Sequence, residues 1–186
     1  MRVVAGSARG RRLQTPSGLD VRPTTDRVRE ATFNALGSLD AVHGARVLDL
    51  FAGSGALGIE ALSRGAEHAT FVDSSPRALE AVRANLETCG LTDRATVVRA
   101  DAFSHLGADA GDHDLVLLDP PYAFDRWPEL LDAVRGGVVV VESDRPVETA
   151  PRFEVRRQRR YGGTVVTIAA QPDRDDHGRR PPEDRS

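Results

Sequence analysis

The stretch Arg46–Ala61, RVLDLFAGSGALGIEA, changes character halfway along its length. Up to Phe51 it is an aliphatic run of strand type, and from Gly55 onward GALGIEALSRG reads as a helix closed by Gly65. Between the two, Gly53, Gly55 and Gly58 form a G-x-G-x-x-G turn. Glycines at a strand-to-helix turn allow a tight bend and the close approach of a ligand to bare backbone, with the helix N-terminus beside it. A tight turn without any ligand meets the same pattern, so the neighbouring segments must decide.

Working outward, the pattern repeats. HATFVD (68–73) reads as a second strand and SPRALEAVRANLETCG (75–90) as a helix, with Ser75 as cap, Pro76 at its first position and Gly90 past its end. ATVVRAD (95–101) and DLVLLD (114–119) are further strands, WPELLDAV (127–134) a helix, and GGVVVVES (136–143) a fifth strand. RFEVRRQRRYGGTVVTIAA (152–170) reads as two strands joined at Gly162-Gly163. Strands alternating with helices imply βαβ units and a mostly parallel sheet. The expected fold is therefore α/β and Rossmann-like, with a seven-stranded sheet and helices on both faces. Upstream, MRVVAG and RRLQTP flank a turn and predict a small β-hairpin, and TTDRVREATFNALGSL (24–39) predicts a helix capped by Thr24 or Thr25. The expected organisation is an extension over 1–40, a catalytic domain over 41–170, and a charged tail over 171–186 too poor in apolar side chains to order itself.

A chain of 186 residues with 40% hydrophobic residues has room for one sizeable core. Its net charge of -3 hides an asymmetry, because residues 1–30 carry seven arginines against Asp20, Asp26 and Glu30, a local balance of +4. There is no lysine, so all 25 basic residues are arginines, which bind phosphate bidentately. A solvated arm accounts for such a run as well as an RNA contact does. One cysteine, Cys89, excludes an internal disulfide and any cysteine-built metal site, and the five histidines are scattered without metal-ligand spacing. No apolar run approaches a membrane span and no signal peptide opens the chain, so a cytoplasmic protein is expected. Nothing in the sequence demands an oligomer, and a monomer is expected.

The strand ends carry the chemistry. Asp73 falls 20 residues after Gly53, where a carboxylate accepts hydrogen bonds from ribose hydroxyls, although a turn or cap aspartate fits there equally. Asp101 ends the third strand and serves either a ligand or the N-cap of a following helix. The fourth strand runs into Asp119-Pro120-Pro121-Tyr122. Two prolines cannot extend a strand, so this carboxylate sits on a stiff loop at the sheet's carboxyl end. The Asp119 carboxylate and the Pro120 carbonyl suit the two N–H groups of an exocyclic ring amine. Tyr122 suits its base as a stacking platform, as in enzymes that flip bases. An electrophile that contains adenosine and needs no metal is S-adenosylmethionine.

DLFAGSGALGIEALSRGA with Asp73 and DPPY resembles class I, Rossmann-like S-adenosylmethionine-dependent amino-methyltransferases. RVVAGSARGRRLQTP and RPTTDRVREATFNAL resemble the N-terminal signature of the RsmD family, bacterial 16S rRNA guanine-N2 methyltransferases, over a match from about Arg2 to about Ala169. The resemblance implies that Asp49, Ala52, Gly53, Ser54 and Gly55 hold the methionine and ribose side of the cofactor. Asp73 would hold the ribose, and Asp101 with Ala102 the adenine edge. Asp119, Pro120, Pro121 and Tyr122 would hold the guanine N2. Arg22, Thr24, Thr25, Asp26, Arg27 and Arg29 would lie over the pocket mouth, and Arg2, Arg9, Arg11 and Arg12 of the hairpin would meet rRNA phosphates. It implies a partner in 16S rRNA, within the small ribosomal subunit or an assembly intermediate, and no metal.

Rival readings are a DNA adenine-N6 methyltransferase, which lacks room here for a target-recognition domain, and a protein-glutamine methyltransferase, whose tetrapeptide begins with Asn. A third is a non-catalytic RNA-binding module, for which a cofactor pocket has no use. Trp127 is expected to pack its helix on the sheet. Arg156, Arg157, Arg159 and Arg160 form either a second basic strip or a solvated edge strand kept apart by charge.

Overall fold

The computed structural model describes residues 1–15, 26–108, 111, 113–121 and 123–172. Arg22, Thr24, Thr25, Tyr122 and the tail beyond 172 lie outside the described residues.

The strands expected from the alternating pattern are present as β1 (Arg46–Leu50), β2 (His68–Asp73), β3 (Ala95–Arg99), β4 (His113–Leu118), β5 (Gly136–Ser143), β6 (Glu154–Tyr161) and β7 (Thr164–Ala170). They form one sheet in the order β3-β2-β1-β4-β5-β7-β6. The first five strands pair in parallel, and β7 runs antiparallel between β5 and β6. The helices are α1 (Asp26–Ser38), α2 (Ala56–Ser63), α3 (Pro76–Cys89), α4 (Ala102–Ala108) and α5 (Trp127–Ala133).

β4 shows why the sheet is covered on both sides. Leu115 and Leu117 join a core with α1, α2 and α3, while Val116 and Leu118 join a second core with α5. All four are fully buried, which is what a continuous aliphatic run means in a parallel strand. The α3 boundaries follow from its end residues: the Ser75 hydroxyl accepts from the Ala78 amide, and Gly90 takes the left-handed conformation at φ 67°. α4 is the helix that periodicity does not reveal, because a single turn or two of AFSHLGA buries little more than Ala102.

The predicted hairpin is present in a short form: Arg2 bridges Arg12 antiparallel, the Val3 amide donates to the Arg11 carbonyl at 3.0 Å, Gly10 to Val3 at 2.9 Å and Leu13 to Met1 at 3.0 Å. The amides between its paired ends turn to α2 instead of extending the ladder. The Glu60 carboxylate accepts from the Val4 and Ala5 amides at 2.8 and 3.0 Å, and Ser63 accepts from Ser7 and Ala8. The arm also contributes Val3, Ala8 and Leu13 to the same core as α2 and β1.

Candidate active site

The sheet order reverses at β1, with β2 on one side and β4 on the other, and ligands of open α/β sheets bind outside such a point. Leu50, Val72, Val98, Leu118 and Val141 share one row across the five parallel strands. The residues that follow them, Phe51, Asp73, Arg99, Asp119 and Glu142, therefore open the carboxyl rim together. The glycine turn and Asp-Pro-Pro are neighbours across the crevice because β1 and β4 are neighbours in the sheet.

The glycine turn closes on the acid of the next strand. The Gly53 amide donates to Asp73 Oδ2 at 2.9 Å, and the Ser75 amide donates to Oδ1 at 2.8 Å. Asp73 thus serves the turn, and two of the roughly four acceptor positions of its carboxylate take no part in these bonds. Gly55 takes φ 77° as the residue before α2. Gly58 is needed for contact: a Cβ there would lie 2.4 Å from the Phe71 ring. Its amide donates to the buried Asp49 carboxylate at 2.9 Å. Burial pushes the Asp49 carboxyl up to about 8, with the Asp73 charge adding to the effect and the Gly58 amide opposing it. Ala52 and Ser54 are buried beneath the turn.

Asp101 is exposed, and its Oδ1 accepts from the Phe103 and Ser104 amides at 3.0 and 3.2 Å, so it caps α4. Ala102 is buried behind it. Asp119 is half-buried, Pro120 buried and Pro121 exposed. Among the described residues no group of three or more His, Cys, Asp or Glu side chains gathers as a metal site.

The sequence did not reveal how the Asp-Pro-Pro loop is held. Phe124 donates its amide to the Pro121 carbonyl at 2.9 Å, closing the turn. Its ring meets Phe51 at 5.5 Å and Trp127 at 5.1 Å edge-on, and Phe103 at 6.4 Å stacked. One aromatic cluster thus joins the ends of β1 and β4 to α4 and α5. Trp127 packs its helix as expected. Phe51 reaches the cluster at a positive φ of 62°, a conformation that costs a non-glycine residue about 1 kcal/mol or more. The spacing of these rings in sequence follows neither helix nor strand, which is why it carried no signal.

The arginines of the first 30 residues divide. Arg2, Arg9, Arg11, Arg12 and Arg27 are exposed. Arg29 is fully buried, contrary to the expectation that it lies over the pocket mouth. Its guanidinium pairs with Asp26 at 2.9 Å, reaches Glu60 at 3.5 Å and donates to the Arg2 carbonyl, so it joins α1, α2 and the arm. Asn85 of α3 makes a second joint: it accepts from the Gln14 amide at 2.7 Å and donates to the carbonyls of Gln14 and Ser54, both at 2.9 Å. The arm and the glycine turn therefore share one side chain.

The family profile described as conserved hypothetical protein 95 matches residues 1–170. A relative from Bacillus subtilis, named putative rRNA methyltransferase YlbH, is 44% identical over 90% of this chain and 97% of its own length. Ribosomal RNA small subunit methyltransferase D of Escherichia coli strain K12 is 43% identical over 66% of this chain and 60% of its own. Among solved structures, the putative methyltransferase yhhF from Escherichia coli superposes with a TM-score of 0.80, at 34% identity, over 92% of this chain and 97% of that one. With these relatives and this rim, the chain belongs to the RsmD family and has the Rossmann-like class I methyltransferase fold.

Proposed function

We propose that the chain transfers a methyl group from S-adenosylmethionine to the exocyclic N2 amine of a guanine in the 16S rRNA of the small ribosomal subunit. The observation that carries this reading is the shared rim, on which the glycine turn, Asp73 and Asp119 stand on adjacent strands at the reversal of strand order. The names of the relatives, which are rRNA methyltransferases, support the class of substrate.

The residues present fit the cofactor. A bare backbone turn, an aspartate with spare acceptor capacity and a helix N-terminus stand where the methionine and ribose would lie, and Asp101 and Ala102 border the adenine. When bound, S-adenosylmethionine supplies the methyl group as an electrophile on a sulfonium. The chain's task is then to make a poor nucleophile competent and to aim it. The lone pair of a guanine amine is delocalised into its ring. The Asp119 carboxylate and Pro120 carbonyl accept its two N–H bonds, which favours a pyramidal nitrogen with the lone pair turned to the methyl group. Asp119 is the nearest acceptor for the proton that the nitrogen sheds. Tyr122 stacks on the base and fixes its plane, and the two prolines fix the carboxylate. These are effects of position and of hydrogen bonds that tighten in the transition state.

The test is methyl transfer from labelled S-adenosylmethionine to unmethylated small subunits, to naked 16S rRNA and to duplex DNA, with the products identified as nucleosides by mass spectrometry. N2-methylguanosine from subunits or rRNA is the expected product. N6-methyladenine in DNA, or no transfer to any acceptor, would overturn the reading.

A further inference from the structure

The edge strand β6 carries Arg156, Arg157, Arg159 and Arg160 against a single acid, Glu154, in a chain whose overall charge is -3. Every residue from Glu154 to Arg160 is exposed. Strand pairing divides the arginines between the two faces of the sheet. Arg157 and Arg159 stand opposite Ile168 and Val166, and with Tyr161 they line a shallow depression against Ala31, Thr32 and Ala35 of α1. Arg160 stands opposite Val165 on the other face and donates to the Asp144 carbonyl. Arg156, in the bulge, pairs with Glu154 at 3.4 Å. Arg157 and Arg159 have no hydrogen-bond or ion-pair partner among the described residues.

Their height on the sheet matters as much as their freedom. Glu142 follows Val141, which is opposite Leu118, so Glu142 is level with Asp119; Glu142 pairs with Val166, and Val166 with Arg159. Arg159 therefore stands on the same rim as Asp119, three strand spacings away, or about 14 Å. Arg157 and Arg159 are two residues apart on one face, a separation of about 7 Å. That interval matches successive phosphates of an extended RNA strand, and arginine meets phosphate with a bidentate fork. The face is also the one on which the arm and α1 pack, so exposed Arg27, Arg9, Arg11 and Arg12 lie on the same side of the sheet.

We infer that Arg157 and Arg159 of β6 form a second phosphate-binding site, which holds the RNA backbone a few nucleotides away from the base held at Asp119. The inference rests on the rRNA reading above and adds to it a surface on the side of α1 away from α2. Two spaced anchors, arm and strip, fix the direction in which the strand crosses the rim.

The test uses the full chain with S-adenosylmethionine present and compares the wild type, the double variant Arg157→Ala/Arg159→Ala and the opposite-face variant Arg160→Ala. Affinity for naked 16S rRNA is followed over a salt series, with methyl-transfer KM and kcat. All three positions are exposed, and thermal melting verifies that each variant folds. The double variant is expected to bind about tenfold more weakly at ~0.1 M salt and to lose about 1.4 from the salt slope, at about 0.7 per single-strand phosphate contact. KM for rRNA rises while kcat and cofactor affinity hold, and Arg160→Ala behaves as wild type. An unchanged slope in the double variant, or an equal loss in Arg160→Ala, would each overturn the strip. A wild type that neither binds nor methylates rRNA would overturn the functional reading itself.

Discussion

Asp119 and Asp49 are carboxylates on adjacent strands with opposite demands placed on them. Asp119 is half-buried at the rim, where the proposed clamp uses it as a carboxylate. Removing it as Asp119→Ala is expected to lower methyl transfer by 100-fold or more, the scale of a lost transition-state hydrogen bond, while cofactor affinity by calorimetry stays near wild type. Near-normal turnover would remove the clamp. Asp49 is 1% exposed and its carboxyl is pushed up to about 8. A folded value above the unfolded one means that the folded chain holds a proton which the unfolded chain releases. Stability from this group is therefore complete below about pH 4 and is lost as pH rises toward 8. The neutral isostere in Asp49→Asn still accepts from Gly58. It is expected to melt higher than wild type at pH 7, by an amount on the order of 2–4 kcal/mol, and the gap should close by pH 4. Equal melting curves at both pH values would contradict the assignment.

At the scale of elements, two joints hold the site together. The aromatic cluster ties the Asp-Pro-Pro loop to three other elements through Phe124. Phe124→Ala is expected to cost on the order of 1–3 kcal/mol in denaturant unfolding and to slow methyl transfer about 100-fold, since a misplaced carboxylate loses its alignment. Retained turnover would show that the two prolines suffice. The other joint is the docking of the arm on α2. A Cβ on Gly6 would lie 1.8 Å from the Ser63 carbonyl oxygen, a backbone atom that cannot yield. Gly6→Ala is expected to undock the arm, and tryptic cleavage after Arg9, Arg11 and Arg12 should quicken well before the sheet unfolds. Wild-type cleavage rates would mean that the arm is held elsewhere.

For the molecule as a whole, the order of strands and helices was legible because a buried parallel strand and an amphipathic helix write their periods into consecutive residues. β1, β4 and β5 follow that rule, whereas β6 is an exposed antiparallel edge strand. What escaped depends on partners far along the chain. Arg29 has the same charge and neighbourhood in sequence as exposed Arg27, yet it turns inward to the Arg2 carbonyl and to Glu60, 27 and 31 residues away. The arm's hairpin was legible in its own residues, but not that Glu60 and Ser63 would claim the amides between its paired ends. α4 and the Phe51, Phe103, Phe124 and Trp127 cluster are assembled by the fold and repeat at no period. The acids and glycines of the rim were legible as types, and their hydrogen bonds to one another were not.

The distance in sequence between the arm and its anchors has a temporal consequence. Val4, Ala5 and Gln14 leave a ribosome before their partners Glu60 and Asn85, which follow 55 to 71 residues later. Long-range contacts of this kind close late in folding, after the loop between them has paid its entropy. The arginine-bearing segment therefore has no fixed shape during synthesis until α2 and α3 have emerged, and those are the helices that flank the glycine turn. A nascent chain thus docks its arginine-bearing arm no sooner than the glycine turn has its own two helices beside it.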